Sequence, residues 1–204
     1  MYVWPTPGRV ASALLVRHRN LLKIALGKYE LEWDEPIGRI HPNLRRDRCV
    51  ALKEDWVGQG DRKGIIAWKA ARVLGKATFD EQIPRVTRKA FARASTGSRD
   101  GLVEAVDWLD DLPGVGVRMA TAILMFYDPE RYSVMDVNAW RSLVHIGFAD
   151  PFDFWYEESE DYPAYNEACL RLSRELHHTL RETDRALWVL GDAQGDLQSI
   201  RRPS

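Results

Sequence analysis

The chain has 204 residues, 45% of them hydrophobic, which is enough to build a core without disulfides and too many for a disordered protein. Its two cysteines, Cys49 and Cys169, exclude a disulfide framework or a four-cysteine metal site and suit a reducing compartment. The formal charge of −1 hides an asymmetry, because residues 39–99 carry 15 Lys+Arg against 6 Asp+Glu, and residues 100–204 carry 9 against 20. Such a split suits one basic face for a polyanion, although two solvated helix faces would produce it equally well. The opening MYVWPTPGRV has neither a charged n-region nor an apolar h-region, and no stretch is apolar enough to span a bilayer. A soluble cytoplasmic protein is expected, a monomer with no membrane partner, associated with the nucleoid if its source is bacterial.

Leu, Ala, Arg and Glu dominate and no β-branched alternation reaches strand length, so the fold class expected is all-α. Thr6-Pro7 opens a first helix running to about Tyr29, and LEWDEPIGRIHPN, with Pro36, Gly38 and Pro42, reads as a loop. Helical pattern resumes over Leu44–Val57, breaks at GQGDRKG, and returns over Ile65–Leu74 and Pro84–Ala94. Asp100 is the expected N-cap of a helix through Asp110. After LPGVG comes a helix from Gly116 to Tyr127, a connector, and a helix opening at Asp136. PFDFWYEESEDYP reads as a loop before a helix of about Ala164–Arg181, and Thr183 as the cap of a last helix that Gly191 ends. The tail beyond it is polar and expected to fray.

The specific signal lies in residues 100–147. In LPGVGVRMATAIL, Gly114 and Gly116 stand one residue apart between an amphipathic helix and an apolar one, where glycine permits a tight reversal and a close approach. The N–H groups of Gly116, Val117 and Arg118 have no intrahelical acceptor and lie at the positive end of the helix, so a phosphate suits them. Asp136, in SVMDVNAW, follows Gly116 by 20 residues. The helix carries the chain about 18 Å away, and the connector can span roughly 26 Å, which lets Asp136 return beside the turn.

These residues resemble the helix-hairpin-helix DNA glycosylases, whose hairpin and small-residue helix are followed by an aspartate. The resemblance implies two helical lobes with double-stranded DNA in the cleft between them: residues 1–43 plus 150–204 as one lobe, and 44–149, with the hairpin at about 100–127, as the other. It implies Asp136 as the catalytic carboxylate, stabilising positive charge on the sugar as the base departs or activating water, and Gly114, Gly116, Val117 and Arg118 as DNA-binding residues. Relatives that also cut the backbone carry lysine where this chain has Arg118, which cannot form a Schiff base, so base removal without strand cleavage is expected. No cofactor is required, and the cysteine count forbids the iron–sulfur cluster of many relatives. Some relatives hold a monovalent cation on hairpin carbonyls, here those of Asp110, Leu112 and Val115. The alternatives are a non-catalytic DNA-binding module and a sensor of modified DNA.

Trp33, Trp56, Trp68 and Trp140 are candidates to stack on an extrahelical base, against a default of core packing for each. Glu54-Asp55 is a candidate second acid. His177 and His178 are adjacent, about 100° apart on a helix, which is poor geometry for one metal, and Cys169 reads as core. Alkylated purines rank first as substrate, because they leave readily and a cationic base gains from an aromatic face.

Overall fold

The computed structural model describes residues 19–28, 36–149 and 156–193. Thr6, Pro7, Trp33 and the tail after 193 lie outside them. Within them the chain is mostly helical, as expected of an all-α protein, with a single two-residue antiparallel ladder, β1 (Gly58–Gln59) against β2 (Arg62–Lys63). The helices are α1 (19–28), α2 (Ile37–Asp47), α3 (Lys53–Trp56), α4 (Ile65–Ala70), α5 (Gln82–Ala94), α6 (Arg99–Asp110), α7 (Val117–Tyr127), α8 (Val137–His145), α9 (Tyr162–Leu176) and α10 (Leu180–Ala193). Among the described residues no helix is long and apolar enough to cross a membrane.

α7 is the central element. Every residue from Met119 to Phe126 is buried, which is the behaviour of a helix that is apolar all round. α6 leads into α7, α2 and α4 pack on it, and α8 packs most extensively on α10. Leu109, Ile123, Phe126, Trp56 and Trp140 are among the side chains that fill the shared core. The lobe boundary expected between residues 43 and 44 falls inside α2, a continuous helix packed on α7.

Several local expectations are corrected. The segment expected as a loop up to Asn43 is helical from Ile37, because Ile37, Ile40 and Leu44 share a core-facing stripe and Pro42 lies on the exposed side. The expected helix over Leu44–Val57 is interrupted at Arg48, which is left-handed (φ 54°), and only Lys53–Trp56 resumes it. α4 ends at Ala70 and tightens into a 3₁₀ turn over Ala71–Val73, short of Leu74. Ser98, two residues before Asp100, caps α6 by accepting the Gly101 N–H on its Oγ (3.1 Å). α9 begins at Tyr162 and stops at Leu176, because His177 turns left-handed (φ 57°).

α10 starts earlier than expected, on a reciprocal cap. The Glu182 N–H donates to Thr179 Oγ1 (3.2 Å) while the Thr179 N–H donates to Glu182 Oε2 (2.7 Å). Thr183 is therefore inside the helix, its hydroxyl donating to the Thr179 carbonyl (3.0 Å). Gly191 does not end α10 either. A Cβ there would stand 1.9 Å from the Asn138 carbonyl oxygen, so this glycine lets α10 lie directly against the first turn of α8.

Candidate active site

The residues leading to Asp136 form no regular structure, yet side chains hold their backbone. The Ser133 N–H donates to Asn166 Oδ1 (2.9 Å), and the hydroxyls of Tyr162 and Tyr165 donate to the carbonyls of Ser133 (2.8 Å) and Val134 (2.9 Å). The Met135 N–H donates to Thr121 Oγ1 on α7 (3.0 Å). Four buried side chains from α7 and α9 thus supply the partners that a strand or helix would have given this segment. On the far side, Ser142 Oγ donates to the Leu187 carbonyl (2.6 Å), pinning α8 to α10.

Asp136 then caps α8, as expected, with Oδ1 accepting the Asn138 N–H at 2.9 Å. Its other oxygen receives Lys69 Nζ of α4 at 2.8 Å, and both side chains are about one-seventh exposed. Burial alone would raise the Asp136 carboxyl. The Lys69 ammonium, the Asn138 N–H and the more distant Arg118 outweigh it and hold the group below the usual carboxylate range. An ionised carboxylate therefore stands at a helix N-terminus with a primary amine in contact.

Two cavities meet at this pair. The first, about 420 Å³, is lined by Lys69, Arg72, Gly114, Gly116, Arg118 and Asp136 among others. It contains the turn between α6 and α7. Gly114 is left-handed there (φ 79°), and a Cβ on it would press on the Lys76–Ala77 backbone at 3.0–3.1 Å. Gly116 is the N-cap of α7 and offers no side-chain hydrogen bond. Among the described residues the N–H groups of Gly116, Val117 and Arg118 donate to no protein acceptor. Arg118 lies 3.6 Å from Glu157 and over the Tyr156 ring at 5.8 Å. Arg72 lines the cavity and Lys76 borders the turn, both exposed and neither paired with a carboxylate among the described residues.

The second cavity, about 350 Å³, is lined by Trp68, Lys69, Val134, Asp136, Val137 and Asn138 and by Arg181, Asp184, Arg185 and Trp188 of α10. Trp68 and Trp188 give it indole surface, and two valines give it an aliphatic part. The Arg181 guanidinium pairs with Asp184 and lies 5.4 Å from the Trp68 ring.

All the expected DNA-binding residues and Asp136 line the first cavity. Of the expected stacking residues, Trp68 lines the second cavity, but Trp56 and Trp140 are core residues, fully buried. Trp56 Nε1–H is satisfied inside by the Ala77 carbonyl (3.3 Å). Asp55 is no second acid at this site. It is completely buried away from both cavities, accepting from Arg39 (3.0 Å) and Asn43 (3.0 Å), and burial raises its carboxyl. Of the three carbonyls expected to hold a monovalent cation, that of Leu112 accepts the Val115 N–H at 2.9 Å, so the turn closes on its own hydrogen bond. Asp110 lines the first cavity, and its carboxyl is raised by burial and by Asp111 and Asp107. Among the described residues no three His, Cys, Asp or Glu side chains gather as a metal site. Cys169 is a core residue, and burial pushes its thiol up to about 12.

Sequence reasoning missed Lys69, Arg181, Asp184, Arg185 and Trp188. The α10 group follows helical spacing, so 181, 184, 185 and 188 share one face, a signal that could have been read. Lys69 carries no local signal, since its partner is 67 residues away. No family model, curated protein or solved structure matches this chain.

Proposed function

We propose that this chain is a DNA glycosylase of the helix-hairpin-helix type, which removes a damaged or modified base from double-stranded DNA. The observation that carries the reading is the ionised carboxylate of Asp136, bordering both a cavity rimmed by open helix N–H groups and a cavity walled by two indoles. A backbone phosphate is bound by the N–H groups of Gly116, Val117 and Arg118, with Arg72 and Lys76 adding positive charge. The target nucleotide leaves the stack and its base enters the second cavity against Trp68 and Trp188. The bond between base and C1′ then breaks, and Asp136 stabilises the positive charge left on the sugar.

The pocket also bears on the substrate. Lys69, Arg181 and Arg185 outnumber Asp136 and Asp184 along its walls, and a guanidinium already lies over Trp68. A cationic alkylated purine would add a like charge there, so a neutral base with carbonyl acceptors is favoured over it. The test is a panel of duplexes, each carrying one 3-methyl- or 7-methylpurine, 8-oxoguanine, uracil or a modified cytosine, followed by alkali cleavage. Excision of at least one neutral base, faster than either methylpurine, is expected. Duplex binding without excision of any base would favour a sensor over an enzyme, and the absence of duplex binding would remove the DNA reading altogether.

A further inference from the structure

We infer that the chain carries a second duplex-binding face, built on arginines of α2 and α5 at the end of α7 remote from the cleft. Its partner is the phosphate backbone of double-stranded DNA, held without readout of sequence. The inference goes beyond the reading of the cleft and shares with it only the partner. α2 ends on Arg45 and Arg46, and the chain then turns left-handed at Arg48. The next residues run against α5, where the Arg88 guanidinium lies 3.2 Å from Cys49 Sγ and the Val50 N–H donates to Thr87 Oγ1 (2.9 Å). Arg85 stands one turn before Arg88 on the outer side of α5, away from the buried stripe of Ile83, Thr87 and Ala90. All five arginines are exposed. Arg46 is paired with Asp47 (2.8 Å) and Arg45 with Asp128 (3.1 Å), whereas Arg48, Arg85 and Arg88 form no salt bridge among the described residues.

The fold itself accounts for part of this charge. The C-terminal carbonyls of α2 attract cations, and Arg45 and Arg46 answer them. Arg85 has no such reason, since it lies near the start of α5, where the peptide dipole disfavours a positive side chain. The partner follows from the chemistry of the face. Guanidinium groups grip phosphate through paired N–H donors. Leu21, Ile24 and Leu74 are the large apolar side chains exposed among the described residues, and none is in the cluster. A protein partner would need an apolar centre, and a single strand would need aromatic rings on which to stack its bases. A duplex needs only its backbone met. The place of the face sets it apart from the cleft. Arg45 bonds Asp128, the C-cap of α7, while the open N–H groups of the cleft are at the N-cap, Gly116. That length of helix is about 18 Å, so the face takes a stretch of backbone other than the one in the cleft.

The probe is a short undamaged duplex titrated into the full chain, with stoichiometry read by sedimentation and affinity followed against salt. Two duplexes per chain are expected, or one with a steep salt dependence if a single duplex bends to reach both faces. The triple variant Arg48→Gln, Arg85→Gln, Arg88→Gln removes the second duplex in the first case. In the other it lowers the slope of log K against log[salt] by about 0.9 for each arginine that meets a phosphate. A circular-dichroism melt checks that the variant is folded. If the loss of the Arg88–Cys49 contact unfolds it, Arg48→Gln with Arg85→Gln carries the test, because neither side chain has a partner to lose among the described residues. Gly116→Asp should do the reverse, weakening the cleft and sparing this face. Stoichiometry and slope unchanged by the arginine substitutions overturn the inference and leave the cleft reading standing. Loss in the arginine variant with none in Gly116→Asp upholds this face and removes the cleft reading. Polyglutamate that competes as well as duplex, charge for charge, overturns DNA as the partner, and failure to bind any duplex overturns both readings.

Discussion

α7 enters the cleft at Gly116, which has no side chain to cap it, whereas α8 enters at Asp136, whose carboxylate is bound to the Asn138 N–H. Each helix start presents N–H groups and the positive end of a peptide dipole. At α8 that potential is answered from within the chain by an anion, which the dipole and Lys69 keep ionised. At α7 it is left open, with Arg118 and Arg72 along the same cavity adding to it. On the proposed function, the contrast would separate two jobs that a base-removing enzyme needs side by side: an unfilled positive site for a phosphate, and a filled one to face a developing cation. The glycines follow the same division. Gly116 leaves a helix end uncapped, and Gly191 lets α10 press on the first turn of α8 and so hold the aspartate's helix in place.

The comparison can be broken at each end. The largest stability effect is expected from Gly191→Ala. Its methyl would collide with the Asn138 carbonyl, and overpacking of this kind costs about 1–3 kcal/mol. The variant should melt several degrees lower, and because the displaced turn carries Asp136, excision should suffer beyond the loss of folded protein. A melt unchanged within a degree would show that α10 does not bear on α8 in this way.

Gly116→Asp converts the start of α7 into a copy of the start of α8. The backbone there is extended, and the added Cβ has only an ordinary neighbour, Asp110 Oδ1 at 3.8 Å, so the side chain can be accommodated. The few tenths of a kcal/mol gained from a better cap than glycine are opposed by the like charge of Asp110 beside it, so stability should stay near that of the wild type. Duplex affinity should fall roughly tenfold, about 1.4 kcal/mol, since a fixed anion now occupies the proposed phosphate position. Lost binding at unchanged stability is the signature; unchanged binding would mean that the open N–H groups hold no phosphate.

Smaller again is the contribution of single cations. Neutralising Arg72 or Lys76 to Gln should each lower the slope of log K against log[salt] by about 0.9 on duplex DNA. An unaltered slope in both variants would return these two cations to a solvated surface. The finest distinction is in acid. Asp136 has a depressed carboxyl, so its contribution to stability is complete above the ordinary aspartate range and is lost as pH falls through its folded-state value. Asp55 is raised instead, and its ionisation opposes folding as pH rises through its shifted range. Asp136→Asn should therefore flatten the acid-side decline in melting temperature, whereas Asp55→Asn should not.

The α7 and α8 starts are legible in the sequence because their signals are local. Two glycines, an apolar helix and an aspartate at fixed spacing constrain one another over fewer than 30 residues. The elements that complete the site are not, because their meaning depends on distant partners. Lys69 reads as one more cation in a basic stretch until α4 is laid on α7. Gly191 reads as a helix stop, since sequence does not separate a glycine that ends a helix from one that admits a neighbouring backbone. Trp56, Trp68 and Trp140 look alike as letters, yet two are buried in the core and one faces the pocket. Pro36, Gly38 and Pro42 outweigh the apolar stripe of α2 when read as sequence alone, so a helix there reads as a loop.

The most direct test compares wild type with Asp136→Asn on whichever lesion duplex proves to be excised, measuring single-turnover excision and duplex affinity on the same samples. Asn can still accept the Asn138 N–H, so the helix keeps its cap and loses only the charge. Excision is predicted to fall by about 10²–10⁴, the scale of one positioned acid–base group, with affinity within a few-fold of wild type. Excision within tenfold of wild type by the Asn variant would contradict the account.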